Sequence, residues 1–369
     1  MRRYEVLHVN ITHGCIQTGQ KLPHIGIIMG RILLTGFEPF GTNETNVSQL
    51  ILQQIKSRLT IQDPWHDSRS SVSGTGSMEV YLEKQLLTVD EVGSRFAAKR
   101  LDSGDTWDLI IHMGLCESCE KIRFELTAQN KLDMRIPDNS GRQLKATLIG
   151  KTDLHVDKTF AKSLTHPPLE EIILSNDAGT YLCNETYYRT LESLENKTSS
   201  ESTNACFIHF PKEEIVPVRD SINVLKKIIG RILFKPVIDV VGALLVNENK
   251  IMLAKRNTTS EMPGVWEFPG GKIEPGESEY EAIAREIEEE FGWDVSPKRL
   301  VSSVYHEYSE FAINLKIIEV SMDFSKDLSP NSRWTSHDEI GWFNDIDGIN
   351  LAQADYEIAA KILNEINAM

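Results

Sequence analysis

An α/β fold in two domains is what this sequence predicts, and three observations carry the prediction. Apolar runs of strand length alternate with segments of helical period through residues 30–232. The pair Lys235-Pro236 then closes the last helix of that pattern. Beyond it the alternation restarts with a hairpin, a glycine-rich loop and a long acidic helix. A chain of 369 residues also exceeds what one core usually serves. The expected divisions are an amino-terminal extension, 1–28, a first domain, 29–232, and a second, 236–369, the first being a three-layer αβα sheet.

The elements follow in order. Met29 stands directly before the first strand, 31–35, so that translation starting there is an expectation that amino-terminal mass analysis tests. A turn-rich loop, Gly36-Phe-Glu-Pro-Phe-Gly41, leads to a helical pattern over 47–59, and residues 62–77, rich in Ser, Gly and Asp, read as a loop. Strands are expected at 107–113, 172–174 and 206–210, with helices at 181–195 and 215–232. The polar tract 196–204 reads as a solvated loop. In the second domain, runs at 240–246 and 250–255 form a hairpin across Asn247-Glu-Asn249.

Composition bounds the function. The net charge of −15 argues against nucleic acid as a partner, which needs clustered Lys and Arg. It leaves a nucleotide substrate open, because a divalent cation can bridge acidic protein to phosphate. No run approaches the roughly 18 apolar residues of a membrane span, and no apolar stretch follows Arg2 and Arg3 as a secretory signal requires. Five cysteines, an odd number, suit a reducing cytoplasm better than a disulfide framework. Oligomeric state is left open.

The most specific pattern is Gly271-x5-Glu277-x7-Arg285-Glu286-Ile287-x-Glu289-Glu290-x-Gly292-Trp293. Residues 278–291 are helix formers, and Glu286, Glu289 and Glu290, at i, i+3 and i+4, share one helix face. Oxygen ligands so placed suit Mg²⁺ or Mn²⁺; a plain solvated acidic face is the bland alternative. This spacing resembles the Nudix box, and the resemblance runs from about residue 237 to the carboxy terminus. It implies an α/β/α sandwich with a mixed sheet. Trp266-Glu-Phe-Pro-Gly-Gly-Lys272 looks like the entrance to the box in nucleotide-sanitising members of the MutT and CTP pyrophosphohydrolase type. The resemblance implies metal held by Glu286, Glu289, Glu290 and the Gly270 carbonyl, a bracing Glu277–Arg285 pair beside Gly271, and substrate contacts at Arg256 and Phe268. Leu351-Ala-Gln-Ala-Asp355 is similar to that subgroup's base-reading segment, and Asp355 reads equally as the N-cap of the final helix. Ser336 stands where many relatives carry a glutamate, six residues before Trp342, so the base is open among Asp338, Glu339 and Glu289.

The first domain offers a second chemistry. Cys183 lies where a loop enters a helix, a place that favours thiolate, and His209 ends a short strand. Such a pair is the start of a thiol peptidase, although most Cys/His pairs never meet. Thr35-Gly-Phe-Glu-Pro-Phe-Gly41, the segment around Cys183, and Phe207-Ile-His-Phe-Pro211 together resemble pyroglutamyl peptidase I over about residues 30–232. The resemblance implies Cys183 as nucleophile, His209 as proton shuttle and Glu125, in Ile122-Arg-Phe-Glu-Leu126, as support. Phe37 and Phe40 would wall the pyrrolidone ring, with Arg135, in Arg135-Ile-Pro-Asp-Asn139, on the substrate side. The loop Gly114-Leu-Cys-Glu-Ser-Cys119 departs from the family's glycine-rich run and leaves substrate preference open. Cys116 and Cys119, a lone C-x-x-C, read as incidental thiols and not as a zinc site. The preferred expectation is a bifunctional hydrolase acting on a nucleoside triphosphate and on pyroglutamyl peptides. A nucleotide hydrolase fused to a non-catalytic peptidase-like domain, or a peptidase with a nucleotide-sensing Nudix domain, are the alternatives.

Overall fold

The structure is a computed structural model that describes residues 29–69, 76–196, 203–260, 262–323 and 334–368. The expected extension, 1–28, and most of the 196–204 tract lie outside the described residues. By contacts the chain divides into Met1–Pro64 with Gly74–Phe234, and Trp65–Ser73 with Lys235–Met369.

The first unit runs β1 (Met29–Phe37), α1 (Val47–Gln54), β2 (Arg58–Gln62), β3 (Ser77–Leu87), α2 (Glu91–Ser94), α3 (Phe96–Asp102), β4 (Leu109–Leu115) and β5 (Ile122–Glu125). It continues with β6 (Thr127–Ala128), β7 (Leu154–His155), α4 (Lys158–Thr165), β8 (Ile172–Ser175), α5 (Leu182–Glu195), β9 (Asn204–Phe210) and α6 (Val218–Leu233). Seven strands form one sheet in the order β2-β3-β1-β4-β9-β5-β8. Its centre, β3-β1-β4-β9, is parallel, and β5 enters antiparallel to β9. Every residue of β4 is buried, as a central parallel strand covered on both faces requires. One core packs α1, α4 and α6 residues against Ile32, Leu34, Ile111 and Ile208, and a second packs α3 and α5 residues against Leu33, Ile110 and Phe207. These are the three layers expected.

The helix expected over 47–59 stops at Gln54. Ile55 takes an extended conformation (φ −72°, ψ 137°), and the Lys84 ammonium donates to the Leu52 and Ile55 carbonyls at 2.9 Å, which satisfies the helix end from the sheet. Residues 58–62 then alternate exposed and buried and pair with β3, so part of the expected loop region is strand. Likewise α6 begins at Val218 behind Pro217, and not at 215.

The second unit runs β10 (Val237–Leu244), β11 (Val246–Asn247), β12 (Lys250–Arg256), β13 (Trp266–Glu267), β14 (Gly270–Lys272), α7 (Glu279–Phe291), β15 (Ser296–Glu307), β16 (Ala312–Ser321), β17 (His337–Phe343) and α8 (Gln353–Asn367). The β11–β12 turn places Glu248 and Asn249 at φ 47° and 60°, the left-handed pair a tight hairpin demands. β10 pairs β16 parallel and β14 antiparallel, so the sheet β14-β10-β16-β15 is mixed. Ala282, Ile283, Ile287 and Phe291 of α7 pack on one side of the strands, and Ala354, Ile358, Ile362 and Leu363 of α8 pack into a separate core. Helices therefore cover two faces, the α/β/α sandwich.

Candidate active sites

In the first unit, the register of one strand pair assembles the chemistry. β5 and β9 run antiparallel with Glu125 opposite Phe207 and Arg123 opposite His209. Residues two apart on a strand share a face, so Glu125 and His209 become diagonal neighbours. Glu125 is fully buried, and its Oε1 lies 2.8 Å from His209 Nδ1. Burial alone would depress the imidazole pKa, but its hydrogen bonds to Cys183 and Glu125 outweigh that and hold it raised, at about 9. The buried Glu125 carboxylate at 2.8 Å thus favours the protonated form of His209.

Cys183 sits in the first turn of α5, behind Tyr181 as N-cap, where amide N–H groups have no intrahelical acceptor. Gly114 of β4 makes room for it: a Cβ there would stand 2.9 Å from Cys183 Sγ and 3.0 Å from the Phe207 ring. Phe37, Phe40, Leu115, Tyr181 and Leu182 line a small apolar cavity that reaches Cys183. Phe37 is buried, and Phe40 packs against Tyr181 with ring centroids 5.9 Å apart. Arg142 fastens the segment beside this wall, with its guanidinium 2.6 Å from buried Glu185 and 3.0 Å from Asp138. The Tyr181 hydroxyl donates to the Pro137 carbonyl at 3.1 Å. Arg135, by contrast, is exposed and is not among the cavity's lining residues. A second histidine, His112, is held by Thr35 and Thr190, and burial pushes its pKa down to about 3, so it stays neutral.

The reading of Cys116 and Cys119 as separate thiols is corrected: they form a disulfide, Cα–Cα 5.4 Å. A turn in which the Cys119 N–H points at the Cys116 carbonyl, 3.4 Å away, brings the two side chains together. Glu117 on the same turn accepts from Asn43 at 2.7 Å.

In the second unit, α7 is fixed at both ends. Ser278 and Glu281 form a reciprocal capping box, and Gly292 closes the helix in the left-handed conformation (φ 71°). Arg285 bridges loop and helix: it donates to Glu277 through Nε and Nη2 at 2.8 and 2.9 Å, and to the Lys272 carbonyl at 2.9 Å. Gly271 is a close approach of backbone to the Glu286 carboxylate that any Cβ would block, and at Gly270 a Cβ would strike the Val241 carbonyl.

The three helix carboxylates do not converge here. Arg285 Nη1 takes Glu286 at 2.9 Å and Glu289 at 3.2 Å, while Glu290 turns to His337, 3.5 Å away. Among the described residues no group of three or more His, Cys, Asp or Glu is close enough to hold a metal ion. Like charges at this spacing repel, and here Glu286 and Glu289 share Arg285 while Glu290 faces His337. The donor set nonetheless fits a hard divalent cation. Glu290 Oε2 is buried without a hydrogen-bond partner, and burial, against the opposing pull of His337, pushes its pKa up to about 7.

Around this helix, Glu267 holds Arg256 at 2.8 Å and His337 at 2.9 Å. Residues 350–352 extend the strand edge, with the Trp266 N–H donating to the Asn350 carbonyl. Asp355 is not the N-cap, which is Ala352. Its buried carboxylate accepts the Phe268 N–H at 2.8 Å, and burial raises its pKa to about 7. The Phe268 ring is packed in the core. Asp338 and Glu339 are exposed, and Glu339 pairs with Lys255.

A family model for pyroglutamyl peptidase matches residues 30–226, and one for the NUDIX domain matches 237–361. A CTP pyrophosphohydrolase of Escherichia coli is 38% identical over 106 residues, 28% of this chain and 78% of its own. An 8-oxo-dGTP diphosphatase of Proteus vulgaris is 38% identical over 80 residues, 22% of this chain and 71% of its own. A pyrrolidone-carboxylate peptidase of Pyrococcus furiosus is 30% identical over 186 residues, 49% of this chain and 80% of its own. The chain belongs to both families.

Within the pyroglutamyl peptidase part, sequence reading missed Gly114, Arg142 and Glu185, whose roles depend on contacts between distant segments. Within the Nudix part it missed His337, which adjoins Ser336 in the chain and faces Glu290 at 3.5 Å. Only that adjacency in the chain could have pointed to it. No helix among the described residues is long and apolar enough to cross a membrane.

Proposed function

We propose that the protein is a bifunctional hydrolase: a cysteine peptidase that removes amino-terminal pyroglutamate, and a divalent-cation-dependent hydrolase of a nucleoside triphosphate to monophosphate and pyrophosphate. The observation that carries the first half is the buried His209–Glu125 pair, 2.8 Å apart, on strands beside Gly114, whose missing Cβ leaves the space that Cys183 Sγ occupies.

The Cys183 thiolate attacks the carbonyl carbon of the bond that joins pyroglutamate to the next residue. First-turn N–H groups of α5 receive the developing oxyanion. His209 gives its proton to the leaving amine as the C–N bond breaks, and a thioester remains on Cys183. A water then attacks that thioester while His209 takes its proton, which frees pyroglutamate and restores the sulfur. Glu125 holds the imidazole in orientation and stabilises its charge. The apolar wall of Phe37 and Phe40 receives the uncharged ring.

In the Nudix half, Glu286, Glu289, Glu290 and the Gly270 carbonyl would hold Mg²⁺ or Mn²⁺, with Gly271 and the Glu277–Arg285 brace keeping loop against helix. A cation bound there supplies positive charge to the polyphosphate and acidifies an attacking water. The likeness to the MutT type assigns Arg256 and Phe268 to the substrate side and Asp355 to the base, with Phe268 acting from behind the surface because its ring is packed in the core. Glu289, the most exposed of the three carboxylates, is assigned as the base that takes the proton from water.

One purified preparation tests both halves. It should release the chromophore from a pyroglutamyl arylamide, and Cys183→Ala should abolish that release. A panel of nucleoside triphosphates with Mg²⁺ should yield pyrophosphate, and Glu289→Gln should silence it. Nucleotide cleavage without pyroglutamyl release would leave the peptidase half a non-catalytic domain.

A further inference from the structure

We infer that Arg123 is a specificity-determining residue of the peptidase site, recognising a carboxylate on the substrate residue that follows pyroglutamate; this rests on the pyroglutamyl-peptidase reading above. Arg123 and Glu125 lie two residues apart on β5 and share a face. Arg123 pairs directly with His209, and directly opposed side chains in an antiparallel ladder stand about 5 Å apart at Cβ. Glu125 lies opposite Phe207, two residues back along β9. Arg123 is therefore nearer than Glu125 to the carboxyl end of β9, the edge where ligands meet sheets of this kind.

Strand order then gives a direction. The neighbours run β1-β4-β9-β5 across the sheet. The apolar cavity takes Phe37 from the end of β1 and Leu115 from the end of β4, and Cys183 Sγ sits against Gly114 of β4. His209 is on β9 and Arg123 on β5. A pyroglutamyl ring in that cavity, with its scissile bond between Cys183 and His209, sends the departing residue over β5 towards Arg123. The guanidinium is equipped to receive it: Arg123 is half-buried, and its Nε is shielded from solvent with no hydrogen-bond partner. Buried donors are ordinarily bonded. A guanidinium fork matches a carboxylate with two parallel bonds. The neighbour on its other side, Ile173 of β8, is 42% exposed and offers only a hydrocarbon surface.

The carboxylate has two sources, an acidic side chain after pyroglutamate or the free terminus of a dipeptide. Three substrates separate them: pyroglutamyl-glutamate α-amide, pyroglutamyl-alanine and pyroglutamyl-alanine amide. With the full chain, kcat/KM for at least one acid should exceed that for the neutral amide. In Arg123→Met that preference should fall about tenfold, chiefly through KM, as expected for loss of a charge-assisted pair. Arg123→Lys should recover part of it. The acid whose advantage disappears identifies the source. An unchanged acid-to-amide ratio in Arg123→Met, or an equal loss on all three substrates, overturns the inference and leaves Arg123 as cover for Ile173. A wild type that releases pyroglutamate from none of them overturns the peptidase reading itself.

Discussion

At Gly114 a single methyl group would intrude on the proposed peptidase site. Alanine there would bring carbon to 2.9 Å from Cys183 Sγ and 3.0 Å from the Phe207 ring, so the sulfur must move. Displacements of that order at a reacting atom cost about 100-fold in rate. Gly114→Ala should therefore lose roughly two orders of magnitude of pyroglutamyl release in a kinetic assay, with nucleotide cleavage as the internal control. His209 sets a pH dependence. Its folded pKa, about 9, lies above the ordinary 6.5, so the stabilisation from protonating it is complete below 6.5 and disappears as pH rises through 9. Thermal unfolding of the peptidase unit should shift to lower temperature over that window, and kcat/KM should fall on the alkaline side near 9. In Glu125→Gln the raising partner is weakened, and the stability loss should be shallower and begin at lower pH. Cys183, His209 and Glu125 are readable in the sequence only as three separated segments. Their meeting depends on the β5–β9 register and on the space at Gly114, which no spacing along the chain encodes.

At the scale of elements, α7 was legible because its signals are local. The run of helix formers over 278–291 and the Gly292 of the motif lie within the helix or one residue from it, and the Ser278/Glu281 box that the structure adds is equally local. Ser278→Ala removes an acceptor for the Glu281 N–H and should cost about 1 kcal/mol, read as a lower unfolding temperature of the Nudix unit. The edge strand β2 was not legible, because its apolar residues continue the helical spacing of α1 and only pairing with β3 and the Lys84 contacts separate the two. Asp355 shows the same limit: its position in a first helical turn suggests a cap, and the backbone of a distant strand end claims its carboxylate. Carboxylate spacing along α7 was legible too, yet where each side chain turns is decided by Arg285 and His337.

For the whole molecule, composition excluded more than it assigned, and the repeated alternation of strands and helices announced an α/β chain. Two cores differ in construction, one around a seven-stranded sheet and one around a four-stranded sheet, and the chemistries proposed for them have different requirements. A chelator should therefore separate them. Excess EDTA should stop pyrophosphate release from nucleoside triphosphates and leave pyroglutamyl release unchanged, and added Mg²⁺ should restore the former. Loss of both activities, or persistence of both, would count against the assignment of the cation to the Nudix unit alone.

The bond between Cys116 and Cys119 has a practical consequence at the bench. Leu115, the residue before it, lines the cavity that reaches Cys183, and Glu117, between the two sulfurs, is tied to Asn43. Reagents such as dithiothreitol, added to keep a cysteine nucleophile from oxidising, also reduce this bond. Rates taken with and without such a reagent then belong to two covalently distinct enzymes, and intact mass, two daltons apart, tells which one is in the cuvette.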